Sequence, residues 1–141
     1  MNDKFFLDTN VFVYSFDNRH KSKQKKAQSL IDDALSKNAG VISYQVVQEF
    51  FNVALKKFTI PLTHKDCTLY LEQTLMPLCD IYPNVDLYKH ALHVHKETGF
   101  SFYDSLIVAG GLKGGCTILY SEDLQHGQKI EGLTIHNPFL V

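Results

Sequence analysis

Short apolar runs alternate along this chain with stretches of helical spacing, and four acids stand close behind or within them. Asp8 closes the run Lys4-Phe5-Phe6-Leu7. Glu49 lies in Val46-Val47-Gln48-Glu49-Phe50-Phe51, Asp104 in Phe102-Tyr103-Asp104-Ser105-Leu106-Ile107-Val108, and Asp123 in Tyr120-Ser121-Glu122-Asp123. Strands that alternate with helices predict an α/β fold with a mostly parallel sheet flanked by helices. Such sheets take their ligands at the carboxyl ends of the strands, where all four acids can converge. Crowded carboxylates repel one another and need a cation. An oxygen-only donor set suits Mg²⁺ or Mn²⁺. The expectation is a metal-dependent phosphodiester hydrolase.

The individual elements follow from spacing and punctuation. Residues 4–7 read as a buried strand. A helix is expected from about His20 to Lys37, with Ala27, Leu30, Ile31, Ala34 and Leu35 at helical spacing, closed by Asn38-Ala39-Gly40. Val41-Ile42 reads as a brief strand and Ser43 as the cap of a helix to about Lys57. Thr63-x-x-Asp66 resembles a capping box for a helix to about Leu75. Cys79–Tyr82 is a third candidate strand. Asn84 caps a helix that Gly99 stops, and a helix over 102–113 follows. Cys116–Tyr120 is a clear strand and Leu133–Ile135 a weaker last one. The 141 residues contain no repeat, linker or low-complexity tract, so one domain over 1–141 is expected.

Composition removes several function classes. The chain is 45% hydrophobic and 21% charged, a folded and not a disordered balance. Cys67, Cys79 and Cys116 are odd in number and far apart, so neither a disulfide framework nor a zinc site is indicated. No apolar run approaches the ~18 residues of a membrane span, and Met1-Asn2-Asp3-Lys4 lacks a signal-peptide core; a cytoplasmic location is expected. The net charge of −1 is neutral on nucleic acid, but Arg19, His20, Lys21, Lys23, Lys25 and Lys26 form a basic cluster able to contact phosphates. Its plain alternative is a solvated helix start. His90, His93 and His95 lack the His-Glu-x-x-His spacing and read as surface or packing residues.

Each acid also has an ordinary reading. Asp8 fits an Asx-turn or the cap of a short helix at Val11–Tyr14. Asp104 fits the capping box Ser101-Phe102-Tyr103-Asp104, although the helix behind it is apolar all round and therefore buried. Glu49 could be a helix-border glutamate, and Asp123 a solvated turn acid. It is the recurrence of acids at successive junctions that points to a site.

At these residues the chain resembles a PIN-domain ribonuclease, and within that family a VapC-type toxin of a toxin–antitoxin pair. Phe5-Phe6-Leu7-Asp8-Thr9-Asn10-Val11 resembles the opening strand and first acid; Ser43–Phe50, Phe102–Ala109 and Ile118–Leu124 resemble the segments of the other three. The resemblance implies a sheet sandwiched by helices, an acidic pocket for Mg²⁺ or Mn²⁺, and RNA as substrate. It implies that Asp8 and Asp104 are direct metal ligands, that Glu49 and Asp123 complete the pocket through direct or water-mediated contacts, and that Thr9 or Asn10 supports the first acid. Asp123, rather than Glu122, takes the last place of the family's small-x-Asp pattern. A small antitoxin protein is the implied partner, its tail reaching the pocket with a basic side chain, and a homodimer is compatible with the resemblance.

Two other functions compete. A non-catalytic PIN-like RNA-binding or scaffolding module gains nothing from four anions facing RNA. A haloacid-dehalogenase-type phosphatase needs a second aspartate two residues after the first, where this chain has Asn10.

Overall fold

A computed structural model describes residues 3–140. Met1, Asn2 and Val141, the ends of the expected domain, lie outside the described residues, and with them the first half of the polar lead Met1-Asn2-Asp3-Lys4. Six strands form one sheet: β1 (Lys4–Leu7), β2 (Gly40–Ser43), β3 (Cys79–Ile81), β4 (Cys116–Tyr120), β5 (Lys129–Ile130) and β6 (Leu133–His136). Their order is β3-β2-β1-β4-β6-β5. Every pairing is parallel except that of β5 with β6. The helices are α1 (Thr9–Tyr14), α2 (Lys21–Ser36), α3 (Tyr44–Lys56), α4 (His64–Tyr70), α5 (Met76–Leu78), α6 (Val85–Thr98) and α7 (Phe102–Lys113), with a π-helical turn at Leu71–Leu75. The expected mostly parallel α/β sheet is the observed one.

The strand order places the site. From β1 the chain builds outward through β2 and β3, then returns to the other side of β1 to form β4. The sheet therefore reverses direction of growth between β1 and β4, and the connections leaving their carboxyl ends diverge. A crevice opens at such a point. Beneath it, Phe6, Leu7, Phe12, Val46, Phe50, Val108 and Leu119 are fully buried. α7 is buried from Ser105 to Gly111, as its uniform apolarity predicts.

Caps fix the helix starts. The side chain of Asn84 accepts from the Leu87 N–H at 2.8 Å, that of Thr63 from Asp66 at 3.1 Å and that of Ser101 from Asp104 at 3.1 Å. Asn38 closes α2 in the left-handed region, φ 52°. Ser43 stands at the start of α3 but its hydroxyl makes no capping bond and is buried without a partner.

Two elements depart from expectation. The helix expected to stop near Leu75 continues to Leu78, past Pro77. Proline has no N–H to return to the preceding turn, and the backbone widens before it: the Met76 N–H bonds to the Leu71 carbonyl, a five-residue step. Strand β5 was not anticipated, because two residues cannot display a period. The turn that makes it is Glu131-Gly132, with φ 51° and 92°, the paired positive values a two-residue hairpin loop requires.

Gly40 belongs to β2 and does more than end α2. A Cβ there would overlap the Ala34 side chain, so its absence lets α2 lie directly on the sheet. Gly40→Ala should destabilise the fold by about 1–3 kcal/mol through overpacking. A urea midpoint equal to the parent's would show that α2 can move aside.

Candidate functional site

Three junctions and one helix face meet in a cleft of ≈ 280 Å³ lined by Asp8, Thr9, Asn10, Glu49, Asn52, Val53, Asp104, Ile107 and Asp123. All four acids singled out from the sequence line it, as do Thr9 and Asn10. Asn52 was not anticipated. It lies three residues after Glu49 on α3, on the same helical face.

Asp8 ends β1 and caps α1 and is buried. It accepts the Thr9 N–H at 2.7 Å and the Ser121 hydroxyl at 2.8 Å. Burial raises its carboxyl from the ordinary 3.8 to about 7; the bonds from Ser121 and Thr9 oppose this, while the charges of Glu49 and Asp123 add to it. Ser121 also accepts the Asp123 N–H at 3.3 Å, so one small residue after β4 orders two acids.

Two of the other acids, Glu49 and Asp123, are held by neutral donors. The Thr9 hydroxyl donates to Glu49 Oε1 at 2.7 Å, and Gln45 Nε2 donates to Glu49 Oε2 at 3.3 Å. Asn10 Nδ2 donates to Asp123 Oδ2 at 2.9 Å. Partial desolvation raises the Asp123 carboxyl, with Asp104 and Glu122 adding repulsion and Asn10 opposing. Asp104 sits at the third position of α7, half-buried, its N–H capped by Ser101. The capping geometry is real, and it coexists with a carboxylate that lines the cleft. Among the described residues no three Asp, Glu, His or Cys side chains stand close enough to share one ion.

Glu122 turns the other way. It accepts from the Tyr14 hydroxyl at 2.7 Å and pairs with Lys23 at 2.9 Å. Partial burial works against its charge, but those two bonds win and hold its carboxyl below the ordinary value.

None of the basic cluster lines the cleft. Arg19 pairs with Asp17 at 3.1 Å and Lys23 with Glu122, whereas Lys21, Lys25 and Lys26 are exposed on α2. Hydrogen bonds from Arg19 and His20 hold the Asp17 carboxyl far below its usual range. Of the histidines, His90 meets Glu131 at 3.1 Å on the surface and His95 bonds the Phe100 carbonyl, both structural placements.

Residues 5–129 match the family model for the PIN domain. This chain belongs to the PIN-domain family. In fold the PIN domain is similar to a toxin–antitoxin complex from Klebsiella pneumoniae, at 16% identity and TM-score 0.70 over 98% of this chain and 100% of that one. It is similar to DNA-bound VapBC from Salmonella typhimurium at 18% identity and TM-score 0.66, over 97% and 99% of the two chains. A Mycobacterium tuberculosis VapC described as a sarcin–ricin loop cleaving toxin matches at 20% identity and TM-score 0.54, over 84% and 88%. None of the curated proteins matches.

The Asp8 geometry generates a pH dependence. Its carboxyl holds a proton more tightly folded, at about 7, than unfolded, near 3.8. The stability this gives is full below the unfolded value and is lost as pH rises towards about 7. In EDTA, denaturant midpoints of the parent should fall over that window. Asp8→Asn should flatten the slope and be the more stable protein at pH 8; an unchanged slope would mean that Asp8 is solvated.

Proposed function

We propose that this PIN domain, acting as one unit over residues 1–141, is a divalent-metal-dependent endoribonuclease and the toxin of a VapBC-type pair in the cytoplasm. The observation that carries the reading is a cleft lined by four carboxylates with no cationic side chain among its walls. Such a cleft repels RNA unless a cation enters it. The donors are all oxygen, and Mg²⁺ is usually held by one or two carboxylates with water filling the remaining positions, which suits acids not gathered into a tight triad. The proton affinity of Asp8, raised by burial first and by neighbouring charge as well, marks a carboxylate that gains from a counter-charge.

Asp8 and Asp104 would hold the ion directly, Asp123 and Glu49 would complete the site through bound water, and Thr9 and Asn10 would orient Glu49 and Asp123. A bound Mg²⁺ or Mn²⁺ supplies a more acidic water and stabilises charge growing on the phosphate. The residues themselves keep the cleft anionic, exclude competing cations of the protein and fix the carboxylates in place. Lys21, Lys25 and Lys26, and the paired Arg19 and Lys23 at their margin, offer positive charge to the RNA backbone outside the cleft.

The antitoxin reading has its own support. An apolar groove of ≈ 590 Å³, lined by Val13, Phe16, Phe58, Ile60 and Leu62 among others, shares Val53 with the acidic cleft. An amphipathic segment laid there reaches the acids with a basic side chain. A homodimer is supported by Val85, Tyr88 and Leu92, which leave an exposed apolar stripe along α6. No helix among the described residues is long and apolar enough to cross a membrane.

Purified protein should cleave RNA with Mn²⁺ or Mg²⁺ and stop in EDTA, and Asp104→Asn should lower the rate by about 100-fold or more while the protein stays folded. Were Asp104 only a helix-start acid, the same change would cost no more than ~1 kcal/mol of stability and spare activity. Undiminished cleavage by a metal-free preparation in EDTA would remove the metal mechanism.

Ile60→Glu, at a residue 77% exposed in the groove, should weaken capture of a co-expressed antitoxin by about tenfold and leave RNA cleavage at the parent rate. Equal affinity by calorimetry would place the antitoxin elsewhere.

A further inference from the structure

Gln45 is buried, 4% exposed, in the first turn of α3, and does more than steady Glu49. Its Nε2 donates to Glu49 Oε2 at 3.3 Å and to the carbonyl oxygen of Tyr103 at 3.1 Å. Tyr103 immediately precedes Asp104. One carboxamide nitrogen thus uses both hydrogens to join the acid of α3 to the backbone that carries the acid of α7. Among the described residues the backbones of the two helices approach closely at few other points.

The other end of the same side chain is unfavourable. Gln45 Oε1 is buried with no hydrogen-bond partner. Leaving such an oxygen unpaired costs about 1–3 kcal/mol. Turning the amide over would be worse, since the oxygen would then face two acceptors. A methionine would fill a similar volume without an orphaned oxygen. What favours glutamine here is the work of its nitrogen.

Glu49 is therefore gripped from two sides, by Thr9 from α1 on Oε1 and by Gln45 on Oε2. Thr9 relates Glu49 to the Asp8 junction; Gln45 relates it to the Asp104 helix. We propose that Gln45 is a positioning residue: by bridging Glu49 and the Tyr103 carbonyl it sets the separation of the α3 and α7 carboxylates, and so governs how tightly the cleft takes a divalent cation. This rests on the metal reading above.

The test compares the parent with Gln45→Met and Gln45→Asn, the latter keeping the amide but one methylene too short for both acceptors. Mn²⁺ is titrated into each protein while thermal unfolding is followed without RNA, and RNA cleavage is followed in parallel. Both variants should need about 10–100-fold more Mn²⁺ for half the thermal shift and for half-maximal cleavage, as expected when a partner orienting a ligand is lost. The KM for RNA at saturating Mn²⁺ should stay at the parent value. Mn²⁺ midpoints within about twofold of the parent in either folded variant would overturn the proposal. If Gln45→Met does not fold, Gln45→Asn decides; if neither folds, Gln45 is a structural strut and the proposal falls. A parent with neither a Mn²⁺ shift nor Mn²⁺-dependent cleavage overturns the metal reading and this inference together, whereas a responsive parent with unshifted variants overturns this inference alone.

Discussion

A carboxylate buried where the sheet reverses its direction of growth is the constraint around which this molecule is arranged. Asp8 leaves β1 at that point, and the Ser121 hydroxyl reaches it from the end of β4, 113 positions along the chain. Water is largely excluded, so the charge has few means of relief. Capping α1 gives one, through the Thr9 N–H. Ser121 gives another, and its position requires β4 to lie in register beside β1, with Leu7 opposite Tyr120. Strand order, register and the acid's environment are one problem with one solution.

The cleft that results keeps its charge. Thr9, Asn10, Gln45 and Ser121 orient Glu49, Asp123 and Asp8 with hydroxyls and amides, which supply geometry without cancelling a negative charge. Lysine and arginine would have done both. The cations of the neighbouring surface are turned outward, Lys23 to Glu122 and Arg19 to Asp17. Two adjacent acids after β4 are in this way divided: Glu122 anchors the loop to α1 and α2, and Asp123 is left facing the cleft.

Much of this was legible in the chain because parallel strands buried on both faces read as continuous apolar runs. Phe5-Phe6-Leu7 and Cys116–Tyr120 could hardly be anything else, and the acids behind them recur too regularly to be unrelated turns. The departures have physical reasons. Lys129-Ile130 is too short to show periodicity, and Glu131 is not a residue that announces the positive φ its hairpin turn adopts. The helix expected to end near Leu75 runs on to Leu78, because the widened turn before Pro77 lets it pass. Gln45, Asn52 and Ser121 carry no charge and fit ordinary helix and loop positions, so only the tertiary contacts reveal them. The basic cluster had the opposite defect: it was conspicuous in sequence, but Asp17 and Glu122 claim three of its members, Arg19, His20 and Lys23.

The sheet has short margins. β3 contributes three residues at one end and β5 two at the other, where it runs antiparallel to β6. A ladder needs several consecutive free amides and carbonyls to recruit a foreign strand, and neither border offers them. The small hairpin is thus a terminator: it blunts the longer β6 and guards the chain against runaway strand addition. Assembly of this domain is thereby steered to side-chain surfaces of its helices and their connections, where complementarity is specific and can be undone.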